Sequence, residues 1–515
     1  MGIILKITIV YDLNKILIYY NNSLKVIMIW FQVLTIKTIS MVYKIKNIDE
    51  AFISDDSVRT NYKKYYNWFN NQDFSNLTKK NSEAFKFFKD TGITFKVYSE
   101  NNDDENLIPF DIVPRIINRR EWEKIVKGIT QRVVAINLFL NDIYSNQEII
   151  NSGIIPISLL KNNSAFFPEM MGLTPPNKIY NHISGIDLIK TEKNDFYVLE
   201  DNVRVPSGVS YMIENRDTMM KLFPDLFSKY AVTDNRDYPN KLSKILKNCS
   251  PLNRKKEPNI AVLTPGVHNS AFFEHAFLAD QLGAELVEGK DLRVLDKFLK
   301  MKTIRGWEKI DILYRRVDDE YLDPLTFKED SFLGVPGLME VYRNKNITIA
   351  NAPGTGIADD KAIYSYIPEI INFYLGEKAI LKNVKTFKCS NRNDLKYVLD
   401  FIGDLVVKEV HGSGGYGMLI GPLSNKSEIS EFKNKILKNP NNYIAQPTLS
   451  LSTCPIFTKK GLSPRHVDLR PFALLSNEGV SVTNGGLTRV ALKKNSLVVN
   501  SSQGGGTKDT WVLGE

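Results

Sequence analysis

Apolar residues recur at three- and four-residue steps between Asp111 and Tyr144, where Trp122, Ile125, Ile129, Val133, Ile136 and Phe139 share one stripe of REWEKIVKGITQRVVAINLFLNDIY. That spacing predicts a pair of helices with a buried face, broken at Gly128. Upstream, from Val42 to Asn106, the chain is polar, rich in Asn and Lys and dotted with aromatics, with helical spacing in TNYKKYYNWFNN. Between Ile183 and Arg216 the period changes. The extended runs GIDLIK and FYVLEDNVRVPSG flank the charged turn TEKND, which is the pattern of a hairpin. A helix-rich stretch runs on to Asn253, and LNRKKEP is the clearest linker. Beyond it, NIAVLTPG reads as a buried strand, NSAFFEHAFLADQLG as an amphipathic helix opened by an Asn cap, and AELVEG as the next strand. Together they predict a β-α-β unit of a parallel sheet. DILYRRVDD and ITIANAPG are extended and DDKAIYSYIPEIINFYLG is helical; from LVVKEVHGSGGYGMLIG onward, strands alternate with Gly-rich turns.

Length changes this picture by requiring more than one core: 515 residues call for about two to four domains or one composite enzyme. With 43% hydrophobic and 24% charged residues, the collagen-like, disordered and disulfide-scaffold classes are excluded. The net charge of +9 is spread along the chain, and no arginine-rich or RNP-like segment accompanies it, so no nucleic-acid partner is expected. Cys249, Cys389 and Cys454 are far apart and form no C-x-x-C pair, which reads as a reducing, cytoplasmic setting. Residues 1–40 are far more apolar than the rest. Their longest charge-free run, Val26 to Ile36, falls short of the roughly 20 residues that cross a bilayer, and no signal-peptide cleavage pattern follows it. Met41 opens a segment of ordinary composition, so translation from an upstream start accounts for residues 1–40, with a peripheral membrane anchor as the alternative.

Three local patterns carry chemistry. In LVVKEVHGSGGYGMLIG the consecutive glycines let backbone amides turn toward an anion, and Lys408 at the end of the preceding strand can meet phosphate charge. The spacing is neither that of a P-loop nor of a dinucleotide fingerprint, and taken alone it also suits a Gly-rich hairpin with a snorkelling lysine. In LEDNVRVPSG, Glu200 and Asn202 lie two apart and point to the same face of a strand. They can offer oxygens to one hard cation, with Asp187 adding a third from the neighbouring strand, although a polar hairpin end in water has the same spacing. The third pattern is the pair RHVDLRPF and NSSQGGGTKD, holding Asp468, Arg470, Asn500, Gln503, Lys508 and Asp509, a density of glycine, amide and charge expected of binding loops. Neither H-E-x-x-H nor G-x-S-x-G occurs. His268 and Asn269 open a helix after a strand, a place suited to a carboxylate or phosphate, whereas His275 reads as a packed helix residue. Asp318 and Asp319 are expected to pair with Arg315 and Arg316.

From about Phe110 to the C-terminus these segments resemble the circularly permuted ATP-grasp family, relatives of the ATP-grasp domain of glutathionylspermidine synthetase. The resemblance rests on PFDIVPR, GITQRV, LEDNVRVPSGVSYMIENR, TPGVHNSAFFEHAFLADQLGAELVEGKDL, YRRVDDEYLDPL, ANAPGTGIADDKAIYSYIP, VVKEVHGSGGYGM, YIAQPTLSLST, RHVDLRPF, GGLTRVAL and NSSQGGGTKDTWV, in that order. It implies an α/β composite: a circularly permuted ATP-grasp fold with an inserted Rossmann-like pre-ATP-grasp β-α-β domain. The corresponding division is an atypical extension at 1–40, a helical lead-in at 41–150 and a metal-ligand-bearing part of the core at 151–250. The pre-ATP-grasp domain follows at 255–350, then a nucleotide-binding lobe with C-terminal active-site strands at 351–515.

Carried over position by position, the resemblance makes Asp187, Glu200 and Asn202 the ligands of Mg2+ or Mn2+. Lys361 and Lys408 become the nucleotide lysines, Gly412, Ser413, Gly414, Gly415, Tyr416 and Gly417 the loop over the phosphates, and Gln446 a residue of the adenine-facing hinge strand. Arg204, Asp468 and Arg470 are expected at the reacting groups, and Ser207, His268, Asn269, Asn500, Gln503 and Lys508 toward the substrates. The implied activity is ATP-dependent joining of a small-molecule or peptide carboxylate to an amine through an acyl phosphate. An ATP-grasp phosphotransferase and a non-catalytic ATP-binding partner of another enzyme are the alternatives.

Overall fold

The computed structural model describes residues 48–514 apart from 55–56, 97–104, 162, 192–194, 252–256, 412–416, 495, 497–498 and 500–503. The expectations for residues 1–40, for Gly412, Ser413, Gly414, Gly415 and Tyr416, and for Asn500 and Gln503 therefore fall outside the described residues.

The apolar stripe of the first long segment is buried along its whole length, and the segment is one helix of 25 residues, Arg119–Ile143, rather than two. Asn118 opens it, its side-chain oxygen accepting from Glu121 N at 2.9 Å. Gly128 does not break the helix. A Cβ placed there would lie 2.4 Å from Leu381 Cγ, so the glycine admits a passing segment against the helix instead. Gln131, one turn on, fastens that segment by donating to Lys378 O and accepting from Ile380 N.

The largest sheet has ten strands. Its main path runs through Lys382–Asn383, Phe196–Asn202, Ile183–Lys190, Gly461–Arg470, Leu487–Val490, Gly506–Val512 and Phe110–Ile117. Neighbours along this path are antiparallel except for the two outermost pairs. The predicted hairpin is present as Ile183–Lys190 paired with Phe196–Asn202. A separate four-stranded sheet is wholly parallel, in the order Thr348–Ala350, Ile312–Arg315, Ile260–Leu263 and Glu285–Val287, with the helix Phe272–Leu282 as the crossover between the last two. Its apolar runs are buried, as strands covered on both faces require. The Asn expected to cap that helix lies two residues upstream of the cap: Ala271 occupies the cap position, and Asn269 accepts from Ala271 N at 2.9 Å in the preceding turn.

A smaller antiparallel sheet orders Phe387–Lys388, Tyr443–Pro447, Leu405–Glu409 and Leu419–Ile420. It has its own core of Val398, Leu405, Val407, Ile436 and Ala445 beneath the helices Arg392–Phe401 and Lys426–Lys438. Among the described residues, no helix is long and apolar enough to cross a membrane.

Replacing Gly128 by alanine should cost about 1–3 kcal/mol in chemical denaturation, because the added methyl would meet Leu381 Cγ at 2.4 Å and Cδ1 at 2.8 Å and force that side chain to shift. A Gly128→Ala protein of parental stability would show that the contact relaxes freely.

Candidate active site

The hairpin register brings the expected metal ligands together. Asp187 pairs with Glu200 and Gly185 with Asn202 across the two strands, with a bulge between Asp187 and Leu188. Directly paired residues point to the same side of a sheet, so two carboxyl groups face one another, an arrangement that repels unless cations intervene. They do intervene. Arg470 grips Asp187 with both Nε (2.5 Å) and Nη2 (2.8 Å), and Arg489 adds Nη2 at 2.7 Å. Arg489 also donates through Nε and Nη2 to Asp468. Burial alone would push the Asp187 carboxyl up, but the two guanidinium groups outweigh it and hold it well below the usual carboxylate range. Burial and the facing Asp187 push Glu200 up, against the pull of Lys361, Lys408 and Arg470.

Asp201, between the two expected ligands, points the opposite way and is buried against Arg132 of the long helix at 2.5 and 2.6 Å. Asn202 donates its amide nitrogen to Gly185 O at 3.2 Å, which leaves the amide oxygen as its acceptor for a ligand.

Asp187 is fully buried beneath a cleft of about 440 Å3, whose wall includes Glu200, Asn202, Arg204, Ser207, Lys361 and Arg470 from the sequence-derived set. Lys408 stands behind this wall. Its Nζ donates to Gln446 Oε1 at 3.0 Å, and burial pushes its ammonium down to about 8, Glu200 pulling it back and Lys361 adding to the fall. Lys408 and Gln446, predicted for one nucleotide site, are thus in direct contact. Gly417 is described with φ +67, the left-handed region that glycine adopts without strain. Arg204 lies 3.4 Å from Asp318 and 4.0 Å from Asp359. The Ser207 hydroxyl accepts from Arg316 Nη2 at 2.6 Å, and its carbonyl accepts from Arg470 at 3.2 Å.

Other expectations need correction. Asp468 does not border the cleft; it is buried beneath Arg489, which takes both its oxygens, so it orients that arginine. Lys508 is fully buried, its ammonium 2.7 Å from Asp111 and donating to Pro455 O, a pairing internal to the sheet rather than a reach toward substrate. His268 is exposed and Asn269 is engaged in its turn; neither borders the cleft, although the adjacent Ser270 and Ala271 do. The expected Asp318–Asp319 pairing holds only in part. Asp319 takes Arg315 at 2.9 Å, but Arg316 goes to Glu274 and Asp318 faces Arg204. His275 is packed as expected, against the Thr264 hydroxyl.

The cleft also holds residues that sequence reasoning passed over, Arg489, Asp359 and Asp360, together with His411, the histidine beside the glycine loop that the phosphotransferase alternative would call on. The Asp359 carboxyl is pushed up to about 7 by burial, despite Arg204 beside it. Asp359 and Asp360 stand next to a lysine already singled out, and Arg489 lies within GGLTRVAL, so the signal was present as neighbours of recognised motifs.

For a divalent cation the donors are oxygens. Among the described residues no group of three Asp, Glu, His or Cys side chains is arranged to hold a metal, so the set is two carboxylates and an amide. Asp187 accepts three arginine hydrogen bonds out of about four lone-pair positions, and Glu200 faces it with its own charge only partly offset. A hard cation with oxygen ligands fits such a pair.

The mixed α/β fold around this cleft is that of an ATP-grasp protein. The chain belongs to the circularly permuted ATP-grasp type 2 family, which it matches over residues 114–491. Similar chains include a Synechocystis protein, 47% identical over 90% of this chain and 96% of its own length, and a Mycobacterium tuberculosis protein, 46% identical over 90% and 84%. A Frankia casuarinae protein whose name proposes a glutamate-cysteine ligase is 38% identical over 82% of this chain and 48% of its own length. Among solved structures, a glutathione synthetase-like effector from Globodera pallida shares the fold with a TM-score of 0.57 at 12% identity, covering 86% of this chain and 98% of that one.

Arg489→Leu should destabilise the protein by about 3–5 kcal/mol, since it strands the buried carboxylate of Asp468 and removes one of the two arginines that hold Asp187. Chemical denaturation measures this, and an undiminished midpoint would mean that Arg470 compensates both.

Proposed function

We propose that this chain is an ATP-dependent carboxylate-amine ligase that uses magnesium or manganese and passes through an acyl phosphate. Membership of the ATP-grasp family supports the nucleotide, and the name of the Frankia relative supports a ligase. The observation that carries the reading is the convergence of Glu200, Asn202, Lys361 and Arg470 on one cleft wall with Lys408 behind them. A carboxylate approaching a triphosphate brings anions together, and such a site must neutralise the charge that develops. In this reading Lys361 and Lys408 do so at the phosphates. Arg470, fixed by Asp187, offers its remaining guanidinium edge to the incoming carboxylate. Glu200 and Asn202, with Asp187 behind them, are the residues to hold the metal. That ion, when bound, supplies positive charge to the phosphate oxygens. Arg204, partly exposed on the cleft wall beside Asp318 and Asp359, is a cation for a substrate carboxylate or a departing phosphate.

The direct test is a screen for ADP release across amino acids, short peptides and polyamines. Turnover requiring one acid and one amine supports the ligase; phosphate transferred to the protein instead would establish a phosphotransferase.

Lys408→Ala should fold normally and lose most of its ATP affinity, read by calorimetry; ATP binding at parental strength would remove Lys408 from the nucleotide site. Glu200→Gln keeps the shape but deletes a charge. It should still bind ATP, while turnover falls by at least about a hundredfold and its metal dependence weakens. Parental turnover at ordinary magnesium would make the LEDN segment a structural hairpin only.

A further inference from the structure

His411 follows the strand that carries Lys408 and is the last described residue before segment 412–416. It borders the cleft with its side chain 40% exposed, and its Nδ1 lies 2.9 Å from Asp360 Oδ2. That carboxylate is itself immobilised. Asp360 Oδ1 accepts from Ala362 N (2.7 Å) and Ile363 N (3.1 Å), closing the turn that bears Lys361, and Oδ2 also accepts from Asn163 Nδ2 at 2.8 Å. Asp360 is 4% exposed, so it is a fixed acceptor rather than a solvated acid. Lys361 and Lys408 both act on Glu200 across the cleft. The imidazole, its carboxylate and both lysines therefore meet in one region.

A carboxylate at Nδ1 selects the tautomer with its proton there, which leaves Nε2 on the far edge of the ring. In the neutral ring Nε2 is a lone pair and repels an anion. In the imidazolium it is an N–H donor with a full charge behind it.

We propose that His411, oriented by Asp360, is a phosphate-contact residue of the cleft, its Nε2–H donating to an oxygen of the nucleotide's phosphates. This rests on the nucleotide reading above. Because Asp360 holds the other nitrogen, the contact exists only with both nitrogens protonated, and nucleotide binding is coupled to proton uptake. The charged groups around the ring are Asp359 and Asp360 on one side, Glu200 across the cleft and Glu409 on the same strand, with Lys361, Lys408, Arg204 and Arg470 as the cations. A bound polyphosphate favours the doubly protonated ring, so affinity falls as rising pH removes that proton.

The test is titration calorimetry of the full chain with ATP from about pH 5.5 to 8.5, a range spanning the ordinary imidazole value of about 6.5. It is run in buffers of differing ionisation enthalpy, on the parent and on His411→Gln, whose retained fold is checked by thermal melting. ATP's own protonation is common to both proteins, so their difference isolates the histidine. The parent is expected to take up more protons than His411→Gln, and to lose about tenfold more affinity across the range, the scale of one charge-assisted hydrogen bond. Identical proton uptake and pH dependence in the two proteins overturns the proposal while leaving the nucleotide site standing. A parent that binds no ATP at any pH overturns both.

Discussion

Three buried charged groups and the half-buried Arg470 govern how this molecule closes on itself. Asp187 comes from one hairpin, Asp468 and Arg470 from a second segment, and Arg489 from the strand beside it, and every hydrogen bond among them is charge-assisted. Removing such groups from water is expensive, and mutual attraction offsets the expense only where geometry is good and few lone pairs are left unused. That demand is met by paired strands, which hold Asp468 opposite Arg489 and Leu469 opposite Leu188. The cluster is therefore both a cost and an alignment device. Its two arginines answer two aspartates, and Glu200 remains as the carboxylate whose charge the cluster leaves over, on the wall of the cleft.

The same principle recurs away from the cleft. Arg115 is fully buried against Glu50, Arg216 against Asp509 and Lys508 against Asp111, each pair joining residues distant in the chain. A sheet of ten strands built from mixed-direction neighbours has many ways to pair wrongly. Apolar residues exchange places at little penalty, whereas a buried charge without its partner forfeits several kilocalories, on the order of 3–5. These pairs supply the specificity that hydrophobic burial lacks.

How much of this was legible beforehand depended on distance along the chain. The hairpin at 183–202 and the β-α-β unit at 260–287 were readable because a period of two, or a switch from two to 3.6, is written within a dozen residues. The grouping of Glu200 with Asn202 came from the same rule. Gly128 misled because glycine is the usual sign of a break, and its real reason, the close passage of Leu381, lies 253 positions away in sequence (381 minus 128). Arg489 was invisible as a partner of Asp187 for a like cause, 302 residues separating them. Lys508 and Asp468 looked like binding-loop chemistry because charge amid glycines usually is; only the three-dimensional pairing shows that each is already satisfied inside the sheet.

Asp201 has a bearing beyond packing. It sits between Glu200 and Asn202 and turns inward to Arg132 of the long helix. Side chains alternate strictly along a strand, so a slip of one position in this hairpin would drive Glu200 and Asn202 into the helix and turn Asp201 outward. The mispaired form would lose its internal salt bridge and bury two groups with no counterpart. Helix docking and the orientation of the cleft wall are in this way tied to a single residue: a chain that has seated Arg132 on Asp201 has already turned Glu200 and Asn202 toward the cleft, and one that has not leaves a charge stranded on each element.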